Sequence, residues 1–256
     1  ADVAVLCLGD NEETSGENFD RTSLDLPGRQ LALAKAVWAT GTPVVLVLQS
    51  GRPVSATWEN EHLPAILEAW FPGEQGGLAV AETLFGHNAP SGRLPITFPR
   101  SVGQVPCHYT RRPGGGKKYV EMNWDPLWPF GYGLAYTTFR YGAVRLSAAD
   151  IAPGDSVTVT AAVTNTGKTA GVAVPQVYVR DEFSSTLKPR RQLAAFTRVE
   201  LAPGETKEFT LTVGPRALRT LGADYVWRVE PGAFTVELGE DAAHILSTAP
   251  LTVREA

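Results

Sequence analysis

The sequence is poor in cysteine and methionine. Its 256 residues include one methionine and two cysteines, Cys7 and Cys107. Two cysteines are too few for a disulfide framework, and a bond between these two is not favoured under the geometric demands of a disulfide. We expect Cys7 to be a small core residue within a strand and Cys107 to lie in a loop.

The sequence also lacks a large net charge and long apolar runs. The formal net charge is −4, and the Lys and Arg residues form no block, so neither nucleic acid nor a membrane is an expected partner. Every apolar run falls well short of the roughly 20 residues that cross a bilayer. Residues 1–6 read as a strand and lack the basic segment that opens a signal peptide.

Motifs for metal, phosphate or serine chemistry are missing as well. Ser50-Gly51 lies outside any Gly-x-Ser-x-Gly nucleophile elbow, and the glycines 114–116 precede no P-loop lysine and serine. The histidines have neither metal-ligand spacing nor a paired cysteine, so we expect no metal site and no cofactor. These histidines are His62, His87, His108 and His244.

The chain divides into two parts near residue 142. In residues 1–142, apolar runs at 3–8, 44–48 and 65–70 alternate with helical stretches at 27–41 and 75–85. The first two runs are continuous, which is typical of strands buried on both faces. Pro27 opens the first helix and Gly41 closes it. Alternating strands and helices indicate an α/β fold with a mostly parallel sheet. The apolar face of the first helix comprises Leu31, Ala34, Val37 and Trp38.

Residues 143–256 show only strand patterns. Apolar and polar residues alternate over 157–163, and similar runs occur at 177–179, 209–213, 225–229 and 234–238, separated by Pro-Gly and Asn-Thr-Gly turns. About seven strands without a helix predict an all-β sandwich of the immunoglobulin or fibronectin III kind. No catalytic constellation occurs there, so we interpret this second domain as a support domain.

A polar loop follows the first strand and contains Gly-Glu-Asn-Phe-Asp-Arg at 16–21. Ligands bind at the carboxyl ends of the strands in parallel sheets, so this loop is well placed for a site. Glu17 is the carboxylate that an enzyme would use there. From the residues alone, an alternative stays open, in which Glu12, Glu13 and Glu17 are simply solvated acids.

Further motifs extend along the chain in a fixed order, and with the loop at 16–21 they cover essentially all of it. The motifs are LDLPG at 24–28, GTPVVLVL at 41–48, GRP at 51–53, AWFPGEQGG at 69–77, PSGRLP at 90–95, FPRSVGQ at 98–104 and PFGYGLAYTTF at 129–139. Each motif alone is a weak signal, but the ordered series resembles glycoside hydrolase family 3, the β-glucosidases and β-xylosidases.

The resemblance implies an architecture of three domains: a (β/α)8 barrel, an α/β sandwich and a fibronectin type III-like domain. This chain would supply most of the second, as an incomplete α/β sandwich over 1–142, and all of the third over 143–256. The implied partner is the N-terminal barrel part of the same enzyme, present as a separate chain.

The resemblance also implies the chemistry, a retaining hydrolysis of terminal β-linked sugars by two carboxyl groups. The nucleophile is an aspartate on the barrel, and the acid/base position matches Glu17. Glu12 and Glu13 remain alternatives, because this loop varies in length within the family. Phe19 would border the subsite for the leaving group and bind substrate. Asp20 and Arg21 would order the loop.

We therefore expect the C-terminal portion of an exo-acting β-glucosidase. Alternatives are a β-xylosidase specificity, a non-catalytic scaffold or carbohydrate-binding fragment, and an unrelated α/β domain joined to an adhesion-like sandwich. The substrate class suggests a periplasmic or secreted protein.

Overall fold

The computed structural model of the chain describes residues 1–112 and 119–255, so the glycines 114–116 lie outside the described residues. The chain forms two compact units. Unit 1 comprises Ala1–Asn88, Thr97–Cys107 and Tyr119–Trp128, and unit 2 comprises Ala89–Ile96, His108–Lys118 and Pro129–Ala256. The predicted domain boundary at residue 142 stays a prediction.

Unit 1 is built on a parallel sheet of three strands, β1 (Ala4–Gly9), β2 (Val44–Gln49) and β3 (Ala65–Glu68), in the order β1-β2-β3. Gly9 lies opposite Gln49, and Leu48 lies opposite Glu68. The predicted parallel sheet is thus confirmed. Because all three strands run the same way, their carboxyl ends meet at one edge of the sheet.

The helices of unit 1 are α1 (Gln30–Trp38), α2 (Thr57–His62) and α3 (Gly76–Leu84), with a 3-10 turn at Val102–Gln104. Pro27 lies in a turn before α1 rather than in the helix, and α2 is too short for its pattern to be read from sequence. Helix α1 ends at Trp38 with Ala39 as its C-cap, so Gly41, with φ +79°, lies one residue beyond the C′ position that the sequence predicted for it. No helix within the described ranges is long and apolar enough to cross a membrane.

One face of β1 is open to solvent. Val5 is 49% exposed and Cys7 is exposed, whereas Leu8 is buried in a core with Leu46 and Leu48. The prediction that this strand is buried on both faces, with Cys7 in the core, is therefore wrong. The physical reason is that β1 is an edge strand in the part of the chain that the structure describes, and one of its faces lacks a covering layer there. No disulfide joins Cys7 to Cys107.

Unit 2 is built from short and medium-length strands, which are β4 (Phe139–Tyr141), β5 (Arg145–Leu146), β6 (Asp150–Ile151), β7 (Val157–Asn165), β8 (Gly171–Ala173), β9 (Gln176–Asp181), β10 (Gln192–Phe196), β11 (Val199–Leu201), β12 (Thr206–Val213), β13 (Thr220–Leu221), β14 (Trp227–Arg228), β15 (Gly232–Gly239) and β16 (Ile245–Val253). Strands β10-β9-β15-β16-β6 form one large sheet. Strands β12-β7-β4 form the other, with β5 also paired to β7.

These two sheets enclose one core, as predicted for a sandwich. Val159 and Val163 on β7 are fully buried, as are Val177 on β9 and Val236 on β15, and all four belong to the same apolar cluster. The prediction of no helix in this half is wrong, because Pro215–Leu218 forms a short helix, α4. Pro at its first turn supplies a helical φ and needs no hydrogen-bond donor.

Candidate active site

Asp10 organises the carboxyl edge of the unit 1 sheet. It is the first residue after β1, and its side chain is only 4% exposed. Its Oδ1 accepts hydrogen bonds from Thr14 Oγ1 at 3.0 Å and Arg21 Nη1 at 3.1 Å. Its Oδ2 accepts from Ser50 Oγ at 2.7 Å and pairs with Arg52 Nε at 3.2 Å. One buried carboxylate thus ties the loop after β1 to the residues that follow β2, and two cations compensate its charge.

Gly9 sets the direction in which the chain leaves β1. Its φ is +148°, and a Cβ built on it would lie 1.9 Å from the Gln49 carbonyl oxygen. Only glycine fits so close an approach. The Gln30 side chain clamps the same residue, donating from Nε2 to Gly9 O at 2.8 Å and accepting from Gly9 N at 2.7 Å. The backbone conformation of Gly9 therefore places Asp10 at the edge of the sheet.

The first part of the loop folds on itself after Asp10. Asn11 O accepts hydrogen bonds from the backbone N–H groups of Thr14 and Ser15, at 3.1 and 3.0 Å. Asn11 Oδ1 accepts from Glu13 N at 3.1 Å, and Arg52 Nη2 donates to Thr14 O at 3.0 Å. The chain is consequently anchored immediately before residue 16.

Glu17 lies at the exposed tip of this anchored loop. Within the described residues its carboxylate has no hydrogen bond or ion pair that would occupy it. Asn18, which follows, has φ +66°, a conformation that asparagine tolerates better than most residues. The Phe19 ring is 47% exposed and lies against Gly16, since a Cβ there would be 3.2 Å from Phe19 Cδ2. A free carboxylate on a braced loop is suited to exchange protons with a bound ligand.

The other residues predicted to act in this loop differ in their contacts. Arg21 orders the loop as expected, because it pairs with Asp10 and donates from Nη2 to Asp25 O at 3.1 Å. Asp20 is exposed and has no hydrogen bond or ion pair among the described residues, so it does not share that role. Glu12 and Glu13 are exposed like Glu17, and exposure alone does not discriminate among the three acids.

The residues that hold the loop were not predicted from the sequence. Asp10, Ser50 and Arg52 were not singled out as site residues, although each lies within a few residues of the end of a predicted buried strand. A signal was present, because polar residues after neighbouring parallel strands converge at one edge. The pairing of β1 with β2 brings them together across 40 residues of sequence.

Glu68 is a second, partly buried acid at this edge, where β3 ends. Its Oε1 accepts a hydrogen bond from Trp70 N at 2.9 Å, and its Oε2 is buried without a hydrogen-bond partner among the described residues. Burial raises the pKa of this carboxyl from 4.5 to about 7, and the hydrogen bond from Trp70 opposes that rise only in part. Glu68 therefore carries a proton for part of the time near neutral pH.

Two of the four histidines contact aromatic or acidic side chains. His62 stacks on Trp58 with ring centroids 4.6 Å apart, and His244 Nδ1 lies 2.7 Å from Asp241 Oδ2. Over residues 1–112 and 119–255, no group of three or more His, Cys, Asp or Glu residues is arranged to hold a metal ion.

Two protein-family models match the chain. Residues 1–136 match the glycosyl hydrolase family 3 C-terminal domain, and residues 173–242 match the fibronectin type III-like domain. The first of these covers Asp10, the loop with Glu17, and Glu68.

Curated relatives and solved structures agree with these matches. A beta-xylosidase of Formosa agariphila is 44% identical over 99% of this chain, and a periplasmic beta-glucosidase of Salmonella typhimurium is 41% identical over 96%. A beta-glucosidase structure from Erythrobacter marinus superposes with a TM-score of 0.94 at 42% identity over 98% of this chain. The matched region is 36%, 34% and 34% of those three chains respectively, so this chain spans about a third of their length.

Proposed function

Because the chain belongs to glycosyl hydrolase family 3, we propose that it is the C-terminal portion of a retaining, exo-acting β-glucosidase and that Glu17 is its acid/base residue. The observation that carries this proposal is the geometry of the loop. Glu17 is exposed and unengaged, while Asp10 anchors the same loop to the sheet edge through four side chains.

The proposed reaction has two steps. In the first, the Glu17 carboxylic acid donates its proton to the glycosidic oxygen as the bond from that oxygen to the anomeric carbon breaks. A carboxylate on the other part of the enzyme attacks the anomeric carbon from the opposite face and forms a glycosyl ester. In the second, the Glu17 carboxylate takes a proton from water, and the oxygen of that water displaces the ester and releases the sugar.

The nucleophile belongs to the N-terminal barrel part of the same enzyme, which we propose as the partner, supplied as a separate chain. Two observations support such a partner. The curated relatives are about three times as long as the region that this chain matches. Val5 on the open face of β1 is 49% exposed and Val3, just before the strand, is 51% exposed, which is apolar area of the kind that packs against another protein surface.

Substrate contacts follow from the same loop. The half-exposed Phe19 ring lies two residues from Glu17, and we assign it to the subsite for the leaving group. The substrates proposed are β-linked glucosides or oligosaccharides. A periplasmic or secreted location suits such substrates, and the Salmonella relative is named a periplasmic enzyme.

A second specificity has a specific observation in its favour. The Formosa relative, at 44% identity, is named a beta-xylosidase, so a xyloside substrate is the alternative to a glucoside. A non-catalytic scaffold or carbohydrate-binding fragment would keep the fold without turnover.

The test compares this chain alone with an assembled enzyme, in which it replaces the matching C-terminal third of the Salmonella periplasmic beta-glucosidase. The chain alone should not hydrolyse p-nitrophenyl β-glucoside, because it lacks the nucleophile. The assembled enzyme should hydrolyse it, and a parallel assay with p-nitrophenyl β-xyloside ranks the two sugars. Turnover by the chain alone, or none by a folded assembled enzyme, would contradict the proposal. A second polypeptide that co-purifies with the chain would support a separate barrel.

A further inference from the structure

Trp70 has an unusual backbone conformation. Its φ is +54°, in the left-handed region that large side chains rarely adopt. Such strained residues cluster at functional sites, because they persist only where surrounding contacts hold them. Trp70 follows the end of β3, at the same sheet edge as Asp10 and Ser50. The outlier therefore marks a second constrained segment at the edge that carries the Glu17 loop.

Two sets of contacts hold this segment, which we define as residues 68–73. On one side, Glu68 Oε1 accepts the Trp70 N–H, and the Trp70 ring meets the edge of the fully buried Phe98 ring at 5.7 Å. On the other side, Pro72 packs on the first turn of α3, where a Cβ on Gly76 would lie 2.4 Å from Pro72 Cγ. The backbone of Phe71, between these anchors, is therefore constrained from both sides.

Phe71 is nevertheless 55% exposed. Its ring lies against Gly51, because a Cβ there would be 2.8 Å from Phe71 Cε2. Gly51 stands between Ser50 and Arg52, the two residues after β2 that hold Asp10. An exposed aromatic ring on a constrained backbone segment thus contacts the segment that anchors the candidate acid/base loop.

We propose that Phe71 is a substrate-contacting residue that packs against the leaving group of the glycoside, and that Glu68 is the residue that positions it. This inference rests on the proposed function. An aromatic face offers apolar contact area to an aryl group or to the C–H face of a second sugar at little cost in conformational entropy. Phe71 and Phe19 then form two parts of one leaving-group subsite.

The state of Glu68 supports the positioning role. A carboxyl with one oxygen buried and unpartnered is costly to the fold, and the two influences on its pKa are burial and the Trp70 N–H. The described residues supply no charged group that shifts this pKa. The carboxyl accepts the Trp70 N–H and so holds the backbone at the residue before Phe71.

The first test is Phe71→Ala in the assembled enzyme, with Phe71→Leu as a milder variant. For p-nitrophenyl β-glucoside, KM should rise roughly tenfold with little change in kcat, as expected when one apolar contact is lost. For methyl β-glucoside, whose leaving group is minimal, KM should stay unchanged. Phe85→Ala removes an aromatic ring that is 80% exposed after α3 and should change neither value. Equal effects on the two substrates, no effect on either, or a Phe71→Ala protein that no longer joins its barrel part would overturn the inference.

The second test separates positioning from simple stability. Glu68→Gln keeps an oxygen that accepts the Trp70 N–H and should retain the normal KM for p-nitrophenyl β-glucoside. Glu68→Ala should raise that KM about as much as Phe71→Ala, and the double variant should raise it no further, because both act through one contact. A KM that Glu68→Ala leaves unchanged would exclude the positioning role. If Glu17→Ala were harmless while these effects appeared, the acid/base assignment would fall and this inference would stand.

Discussion

The Ser50 hydroxyl donates a hydrogen bond to Asp10 Oδ2 at 2.7 Å, across the carboxyl ends of two neighbouring parallel strands. The two residues are 40 positions apart in sequence and belong to different strand–helix units. Their contact fixes the loop after β1 to the segment after β2. The position of Glu17 therefore depends on sheet pairing rather than on the loop alone.

Asp10→Asn should destabilise the chain strongly. The substitution keeps the shape of the side chain but removes the negative charge that compensates Arg21 and Arg52. Breaking a buried ion pair in this way costs about 3 kcal/mol or more, measurable as the free energy of unfolding in urea. The control is Asp20→Asn in the same loop, whose side chain is exposed and should change that value by less than about 0.5 kcal/mol. Equal effects of the two substitutions would show that Asp10 does not anchor the loop.

Gly9→Ala and Gly28→Ala form a matched pair of substitutions at glycines with positive φ. A Cβ on Gly9 would lie 1.9 Å from the Gln49 carbonyl oxygen, whereas a Cβ on Gly28 would meet nothing within 4 Å. Gly28→Ala should therefore cost only the conformational strain, about 1 kcal/mol, and Gly9→Ala about 3 kcal/mol or more. Thermal unfolding of the two variants measures the difference. If both melted at the same temperature, the close approach of Gly9 to β2 would be refuted.

The stability of the chain should depend on the ionisation of Glu68. Burial raises the pKa of this carboxyl from 4.5 to about 7, so the folded chain binds the proton more tightly than the unfolded chain does. The stabilising contribution is complete below pH 4.5 and is lost as the pH rises through 7. The loss amounts to roughly 3 kcal/mol.

Glu68→Gln should remove this dependence, because an amide does not ionise. The measurement is the free energy of urea unfolding for both proteins across that pH range, and the difference between them should change as the pH rises. Burial also raises the pKa of Glu59, but Glu59 is present in both proteins and cancels. Glu74→Gln, at an exposed acid, serves as the control. Parallel pH profiles for the wild type and Glu68→Gln would contradict the raised pKa.

The sequence predicted the three strands of unit 1, their parallel sheet and the sandwich of unit 2, because apolar periodicity directly reports burial within an element. It did not predict which face of β1 is covered. A continuous apolar run predicts two buried faces, yet Val5 and Cys7 are exposed. Whether a face of a strand is buried depends on which other segments pack against it, and the sequence of the strand does not specify them. Helix α2 was missed for a related reason, since six residues are too few to show a period of 3.6.

The candidate site was predicted only in part. The loop with Glu17 was recognised from its ordered family motifs, and Arg21 was expected to order it. The anchoring role of Asp10 and the partly buried position of Glu68 were not predicted, because both depend on contacts between distant segments. The sequence around a single acidic residue after a strand does not show which residues will contact it. Sheet pairing determines those contacts and whether the residue is buried.

We propose that Glu17 transfers protons in an active site formed by two parts of the enzyme. The most direct measurement is the turnover of the assembled enzyme carrying Glu17→Ala, on cellobiose and on dinitrophenyl β-glucoside, with and without azide. Cellobiose needs a protonated leaving group, so its hydrolysis should fall about 10²–10⁴-fold, whereas bond cleavage in the dinitrophenyl substrate should continue and azide should restore its turnover. Glu13→Ala should have little effect on either substrate. Normal cellobiose hydrolysis by Glu17→Ala, or a loss that follows Glu13→Ala instead, would contradict the account.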